Sequence, residues 1–214
     1  MEFRLANIGD ASELARVHMD SGARQAGGFM FRLGRRFLAG YYRTLLLSKG
    51  TVIVCAERDG HIVGYISGTL RAEERMPGLR KRWARLALAA LPALLRHPCL
   101  IGEVYKRQTS GSVETGSGFI VQFGPHQEYW AWALPGSAGA LELQRKWMGI
   151  MKVLGVKHVL CEVDRVNSLS ERAHKLCGAR QLTEVTTPDG RERLILEYDL
   201  LQAPLAAKSA AARD

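Results

Sequence analysis

No stretch of this chain stays apolar for long enough to cross a membrane. The longest uncharged greasy stretch, residues 86–95, has ten residues, about half of what a bilayer-spanning helix needs. The opening residues 1–7 hold no apolar core of signal-peptide length, so a cytoplasmic chain is expected. Cysteine is sparse. The four, Cys55, Cys99, Cys161 and Cys177, have neither CxxC nor metal-ligand spacing, and no metal site is expected. Cys55 and Cys161 sit inside apolar runs, where cysteine behaves as a small hydrophobe. All four are expected as reduced thiols. No internal repeat is visible, and neither a base-reading motif nor an aromatic single-strand motif, so no specific nucleic acid is expected. Acidic residues are missing where basic ones gather. From Arg71 to Arg107 nine Lys/Arg face only Glu73, Glu74 and Glu103, which places six of the nine net positive charges in one stretch.

The 214 residues, 47% hydrophobic and 24% charged, suit one globular domain. We read it as spanning 1–201, with a basic insertion at about 71–118 and a frayed Ala-rich tail at 202–214. A basic patch favours a phosphorylated or acidic ligand, or an anionic membrane surface; the plainer alternative is a solvated basic face.

Residues 3–6 alternate like an edge strand. Asp10 and Glu13 have capping-box spacing, and Leu14, Val17, His18 and Ser21 share one face of a first helix running to about residue 23, with His18 a packed histidine. Leu33, Phe37, Tyr41 and Leu45 predict a second helix over 31–47, followed by Gly50 as a left-handed end. Residues 51–57 and 61–69 form a hairpin about Asp59-Gly60, a turn pair that suits tight hairpins. Leu79, Trp83, Leu86, Ala90 and Leu94 keep helical spacing until Pro92 kinks or ends the run. Residues 109–118 are rich in Ser, Thr and Gly and read as mobile. A strand over 127–134, a helix about Leu143, Trp147, Ile150, Met151 and Leu154, a strand over 157–163, a helix over 168–177 and a hairpin about 188–190 complete the chain. A mixed sheet with helices on both faces would bury all these stripes.

This order, with Asn167 and Gly178 following the strand over 157–163, resembles the GNAT superfamily of N-acetyltransferases. The implied fold is α/β: a mixed, mostly antiparallel central sheet with helices on both faces, in the order β-α-α-β-β-(insertion)-β-α-β-α-β-β. Leu33-Gly-Arg-Arg-Phe-Leu-Ala-Gly-Tyr-Tyr42 also looks like members linked to bacterial surface-polysaccharide and sugar biosynthesis. The resemblance implies two parallel strands, here 127–134 and 157–163, that splay to admit acetyl-CoA. It also implies a pyrophosphate resting on the amides of the next helix, where free N–H groups and a partial positive charge gather. The family's loop, Gln/Arg-x-x-Gly-x-Gly/Ala, falls on Pro135 to Ala140, with Pro135 in the Gln/Arg place, Ala138 in the middle glycine place and Ala140 fitting the last. A shift by one puts Gly139 on the middle glycine and Gly136 on Gln/Arg. The cofactor residues implied are Leu134, Gly136, Ser137, Ala138, Gly139, Ala140 and Asn167; a plain strand-to-helix turn is the alternative.

The resemblance places an acid, usually tyrosine, seven residues after Asn167, where this chain has His174. A histidine can give a proton near neutral pH. It can equally be a surface residue between Arg172 and Lys175, and Tyr198 and Tyr129 are further donors. A base is expected as a carboxylate near the strand before the loop, which here is Glu128; a solvated carboxylate is the alternative. His126 would share its face, and by alternation so would Trp130 and Trp132, opposite Tyr129, as core or as a substrate platform. Glu162 and Asp164 rank below Glu128.

The implied activity is acetyl transfer from acetyl-CoA to a small-molecule amine, a nucleotide-linked or phosphorylated amino sugar being the candidate acceptor, with the insertion as lid or docking surface. Two other readings stand beside it. One is a catalytically inactive GNAT-like module that binds a protein partner. The other is attachment to an anionic membrane surface, since basic residues precede the apolar run 86–91.

Overall fold

The computed structural model describes residues 1–22, 29–102, 120–136, 138–187 and 190–202. The loop expected at 109–118, Ser137, the turn residues Pro188 and Asp189, and the tail beyond Gln202 lie outside the described residues.

Seven strands form one sheet in the order β1-β2-β3-β4-β5-β7-β6. They are β1 (Glu2–Leu5), β2 (Thr51–Arg58), β3 (His61–Thr69), β4 (His126–Trp132), β5 (His158–Asp164), β6 (Arg180–Thr186) and β7 (Glu192–Asp199). Only β4 and β5 pair in parallel. The helices are α1 (Ala11–Gly22), α2 (Phe29–Arg32), α3 (Gly34–Leu46), α4 (Arg75–Arg80), α5 (Trp83–Arg96), α6 (Ala138–Val153) and α7 (Ser168–Leu176).

The β2–β3 turn has φ of 54° at Asp59 and 77° at Gly60, the two left-handed residues that a tight hairpin turn needs. Alternation along β2 then sorts the core. Val52, Val54 and Ala56 join Leu143, Trp147 and Met151 of α6 on one face. Ile53 and Cys55 join Leu14 of α1 and Leu38 and Tyr41 of α3 on the other.

Three local expectations are corrected. The capping box is Asn7 with Asp10, because a 3-10 turn at Ile8–Asp10 precedes α1. Asp10 accepts from the Asn7 amide at 2.7 Å. Glu13 is left to accept from the Ile62 amide at 2.9 Å, which ties α1 to β3. The second helix breaks at Leu33, since Gly34 takes a φ of 84°. The helix of the insertion breaks between Arg80 and Trp83, and Pro92 is carried inside α5. The outer face of that helix is exposed, so the carbonyl deprived of its N–H partner can be hydrated.

Two glycines on β3 admit tryptophans. A Cβ on Gly64 would lie 2.2 Å from the Trp132 ring. A Cβ on Gly68 would lie 2.4 Å from the Trp147 ring and 2.6 Å from the His126 carbonyl. Trp147 is fully buried and donates its indole N–H to the Val52 carbonyl at 3.1 Å, so it has nowhere to retreat. Gly68→Ala is therefore expected to cost about 1–3 kcal/mol by overpacking, read as a lower urea midpoint with an unchanged slope.

Candidate active site

β4 and β5 pair only at His126 with Leu160 and Gln127 with Cys161. Beyond that point β4 continues to Trp132 and β5 to Asp164 without meeting. The gap opens beside an irregularity in β4: Ser67 pairs with Tyr129 and Gly68 with Gln127, so Glu128 is an extra residue bulged from the ladder. A bulge re-aims its neighbours. Gln127 exchanges two hydrogen bonds with Gln144 of α6, at 2.9 and 2.8 Å. Tyr129, two residues on, packs instead against His18 and Tyr41 on the α1–α3 face. The expected alternation is thus corrected. Trp130 and Trp132 lie towards α6 and α7, where Trp130 meets His174 edge-on at 5.1 Å and Trp132 covers Gly139. Glu128 stands apart from them.

A cleft of about 190 Å³ fills the gap, with Glu128, Trp130, Glu162, Asn167 and His174 in its walls. One wall is charged. Arg75 of α4 reaches from the insertion to place Nε 2.6 Å from Glu128 Oε1. Its Nη2 donates to His126 Nδ1 at 3.0 Å, which puts the ring proton on Nε2, 3.7 Å from Glu162 Oε1. Glu162 accepts from the Val121 amide at 2.6 Å and from Arg193 Nη1 at 2.8 Å, and Arg193 Nε donates to Asp164 at 2.8 Å. Glu128 is buried, not solvated. Burial pushes its carboxyl above the usual range against the pull of Arg75. Burial does the same to Glu162, against the Val121 amide and Arg193. His126 is held neutral by burial and by the cations Arg75 and Arg193.

The opposite wall is aromatic. His174 is buried, not on the surface, and its Nδ1 lies 2.7 Å from the Tyr198 hydroxyl and 3.5 Å from Cys161 Sγ. Burial lowers its pKa to about 4. The ring is therefore neutral at neutral pH, so any proton it offers is that of its own N–H. Tyr129 lies on the other face of the sheet. Asn167 caps α7, its side-chain oxygen accepting from the Ser170 amide at 3.1 Å, and its NH2 remains a donor. Among the described residues, two buried polar atoms in the cleft walls have no hydrogen-bond partner: Glu128 Oε2 and Trp130 Nε1. Buried polar groups are normally paired, so an acceptor and a donor left open in one cleft mark a place for a polar ligand.

Loop residues Leu134 and Gly136 lead into α6, with Gly136 at a φ of 83°. Gly139 is a glycine for a packing reason. Its missing Cβ would lie 2.6 Å from the Trp132 ring, and the Ala140 methyl is buried. As the first residues of α6, Ala138, Gly139 and Ala140 have backbone N–H groups without intrahelical partners.

No protein-family model and no curated protein matches the sequence. Solved structures do match the fold. The Salmonella typhimurium protein yncA, described as an acetyltransferase and solved with its cofactor acetyl-CoA, superposes with a TM-score of 0.57 at 14% identity over 98% of each chain. An aminoglycoside 6'-acetyltransferase of type Ii gives 0.58 at 8% identity over 95% of this chain and all of its own. A ribosomal-protein-alanine N-acetyltransferase from Brucella melitensis gives 0.54 at 14%, over 93% and 99%. The fold is that of the GNAT acetyltransferases. The GNAT sheet accounts for the parallel β4–β5 pair among otherwise antiparallel neighbours, and the parting of these strands is where the cleft lies. Of the residues the sequence singles out, the structure brings Glu128, His174 and Asn167 into the walls of one cleft, with Glu162 beside them. Arg75, which the sequence does not single out, is delivered from a distance by the insertion. Glu162 alternates with the buried Val159, Cys161 and Val163, and so faces away from them beside Arg193.

Proposed function

We propose that this protein transfers an acetyl group from acetyl-CoA to a small-molecule amine. The observation that carries the reading is the parting of β4 from β5 beyond Gln127, bounded by the open Glu128 Oε2 and Trp130 Nε1. A strand edge without a partner offers N–H and C=O groups to the amides of an extended ligand. The residues that would hold the cosubstrate are Leu134 and Gly136 before α6, Ala138, Gly139 and Ala140 through the backbone at its start, Ser137 by its place in the sequence, and Asn167. When bound, acetyl-CoA would supply the acetyl group as a thioester.

The chain's own groups then divide the proton traffic. Glu128 accepts a proton from the amine at Oε2, while Arg75 holds Oε1 in place. With Nδ1 accepting from Tyr198, neutral His174 carries its proton on Nε2 and donates a hydrogen bond to the departing sulfur. The acceptor class we infer is an amine on an anionic scaffold, such as a nucleotide-linked or phosphorylated amino sugar. The basic insertion supports this, for it supplies Arg75 and leaves Arg80, Lys81 and Arg85 exposed beside it.

A second reading, a GNAT-fold binding module without catalysis, is favoured by one observation: the glycine at 139 serves Trp132 rather than a phosphate. Thermal unfolding decides whether the cosubstrate binds at all. Acetyl-CoA at about 100 times its dissociation constant adds about 2.7 kcal/mol to native stability, and a clear rise in midpoint is expected. An unchanged midpoint at millimolar acetyl-CoA would remove the transferase reading. A rise without turnover on any amine would leave the binding module.

A further inference from the structure

Helix α5 has two apolar faces, and among the described residues only one of them is covered. Leu86 touches Gly40 of α3, and Ala90 packs with Leu33 and Leu100, joined by Leu94. The other face carries Ala84, Leu88, Leu91 and Leu95, at the spacing i, i+4, i+7 and i+11 of a single helical stripe. Leu88 is 71% exposed, Leu91 45% and Leu95 73%. Trp83 at one end and Ile101 beyond the other are exposed as well. Scattered apolar residues on a surface mean little, but a continuous stripe marks a contact. A surface helix would carry charges at these positions.

The charges are at the border instead. No acidic residue occurs from Arg75 to Gly102. Arg80 and Lys81 lie before α5, exposed. Arg85 and Arg96, eleven residues apart and so on one side of the helix, flank the stripe. On α3, Arg36 and Arg43 stand one turn either side of Gly40, the position that Leu86 touches, and both are exposed. A greasy stripe with a cationic border and an aromatic residue at its end matches the chemistry of an anionic bilayer surface: acyl chains accept the leucines and phosphates accept the arginines. A second copy of this chain would bring like charge to like charge. The segment 103–119 has only Val104, Tyr105, Val113 and Phe119 as large apolar residues, too few to cover the stripe. With 14 residues α5 is about 21 Å long, short of a span, and no helix of the described residues is long and apolar enough to cross a membrane.

We propose that α5 lies in the surface of anionic membranes through Leu88, Leu91 and Leu95, and holds the protein there with its basic border. The proposal needs neither the cleft nor catalysis, though Arg80, Lys81 and Arg85 serve here as a membrane border and not as an acceptor site.

Flotation of the full-length protein with phosphatidylglycerol–phosphatidylcholine vesicles tests it. The protein should rise with anionic vesicles at low salt, rise much less at 0.5 M salt, and stay behind with pure phosphatidylcholine. The double variant Leu88→Glu, Leu95→Glu changes only exposed side chains and should bind at least tenfold more weakly while its thermal midpoint holds. Three results would overturn the idea: no flotation with anionic vesicles at low salt, binding unchanged in the double variant, or a dimer in size-exclusion chromatography that the same substitutions dissociate.

Discussion

Glu128→Gln is expected to lower the acetylation rate by about 10²- to 10⁴-fold, the usual worth of a positioned general base. An amine acceptor is protonated at neutral pH and must lose a proton before it can attack a thioester. Glu128 sits where that proton could go. It is bulged from β4 into the cleft, one oxygen is fixed by Arg75, and the other is open among the described residues. Burial raises its pKa and Arg75 restrains the rise, so its basicity is that of a carboxylate tuned upward. Glutamine keeps the shape and an acceptor oxygen for Arg75 but cannot take a proton. The wild-type kcat/KM should climb as pH rises through the elevated Glu128 pKa, and the variant should lose that limb. Arg75→Gln should move the limb to higher pH, since the carboxylate then loses its cation. Breaking the buried Arg75–Glu128 pair can cost about 3–5 kcal/mol, so thermal midpoints must accompany the rates. A folded Glu128→Gln protein with wild-type turnover would remove Glu128 from the chemistry.

Acid should weaken the native state through its buried histidines, and His174→Phe should remove a share of that sensitivity worth about 2 kcal/mol between pH 7 and pH 5. His174 is held neutral in the fold down to about pH 4, whereas an unfolded chain's histidine protonates near pH 6.5. Between these values the unfolded state binds the proton and the native state does not. The stabilisation is thus whole above about pH 6.5 and is lost as pH falls towards 4. His18 behaves alike, lowered to about 4 by burial beneath its hydrogen bonds with Tyr42 and Tyr65. Glu128 and Glu162 oppose the trend, because their raised values let the native state take up protons first as pH falls. The informative quantity is therefore the difference between wild type and variant, from urea unfolding at the two pH values. An identical pH slope in His174→Phe would mean that the ring is not held neutral. The constant cost of stranding the Tyr198 hydroxyl does not change that slope.

Much of the architecture was legible because it is written in local chemistry. Asp59-Gly60 encodes its turn, and Gly155 and Gly178, at φ of 84° and 91°, close α6 and α7. The 2.0 and 3.6 residue periods separate strands from helices. What was not legible depends on groups far apart in sequence. The bulge at Glu128 cannot be seen in β4 alone, since it exists only against the register of β3. Tyr129 and Trp130 do lie on opposite faces as alternation requires, but the bulge separates Glu128 from Trp130 and Trp132, which alternation had put on one face with it. The exposure of His174 was misjudged because Arg172 and Lys175 beside it suggested a surface, while Trp130 and Tyr198, which bury it, come from other strands. That Gly139 also has to be a glycine to admit Trp132 is equally invisible along the chain, since the ring comes from β4. Arg75 had no local mark at all: it was one of nine cations in a basic stretch, and only the path of the insertion singles it out.

The two residue pairs that join β4 to β5 make this sheet a book of two leaves. On the α6–α7 side the binding is grease, for one continuous core runs from Val52, Val54 and Ile66 through α6 to Val159, Cys161 and Leu196. On the α1–α3 side that core stops at β4, and the crossing is made by Arg75, His126 and Glu162. The spine is therefore apolar and the fore-edge is ionic. Amide exchange should find β1–β4 and β5–β7 protected to different depths, with salt loosening neither edge, since the fore-edge charges are buried beyond its screening. A molecule seated between the pages would stitch them, and the two sets of amides would then open together.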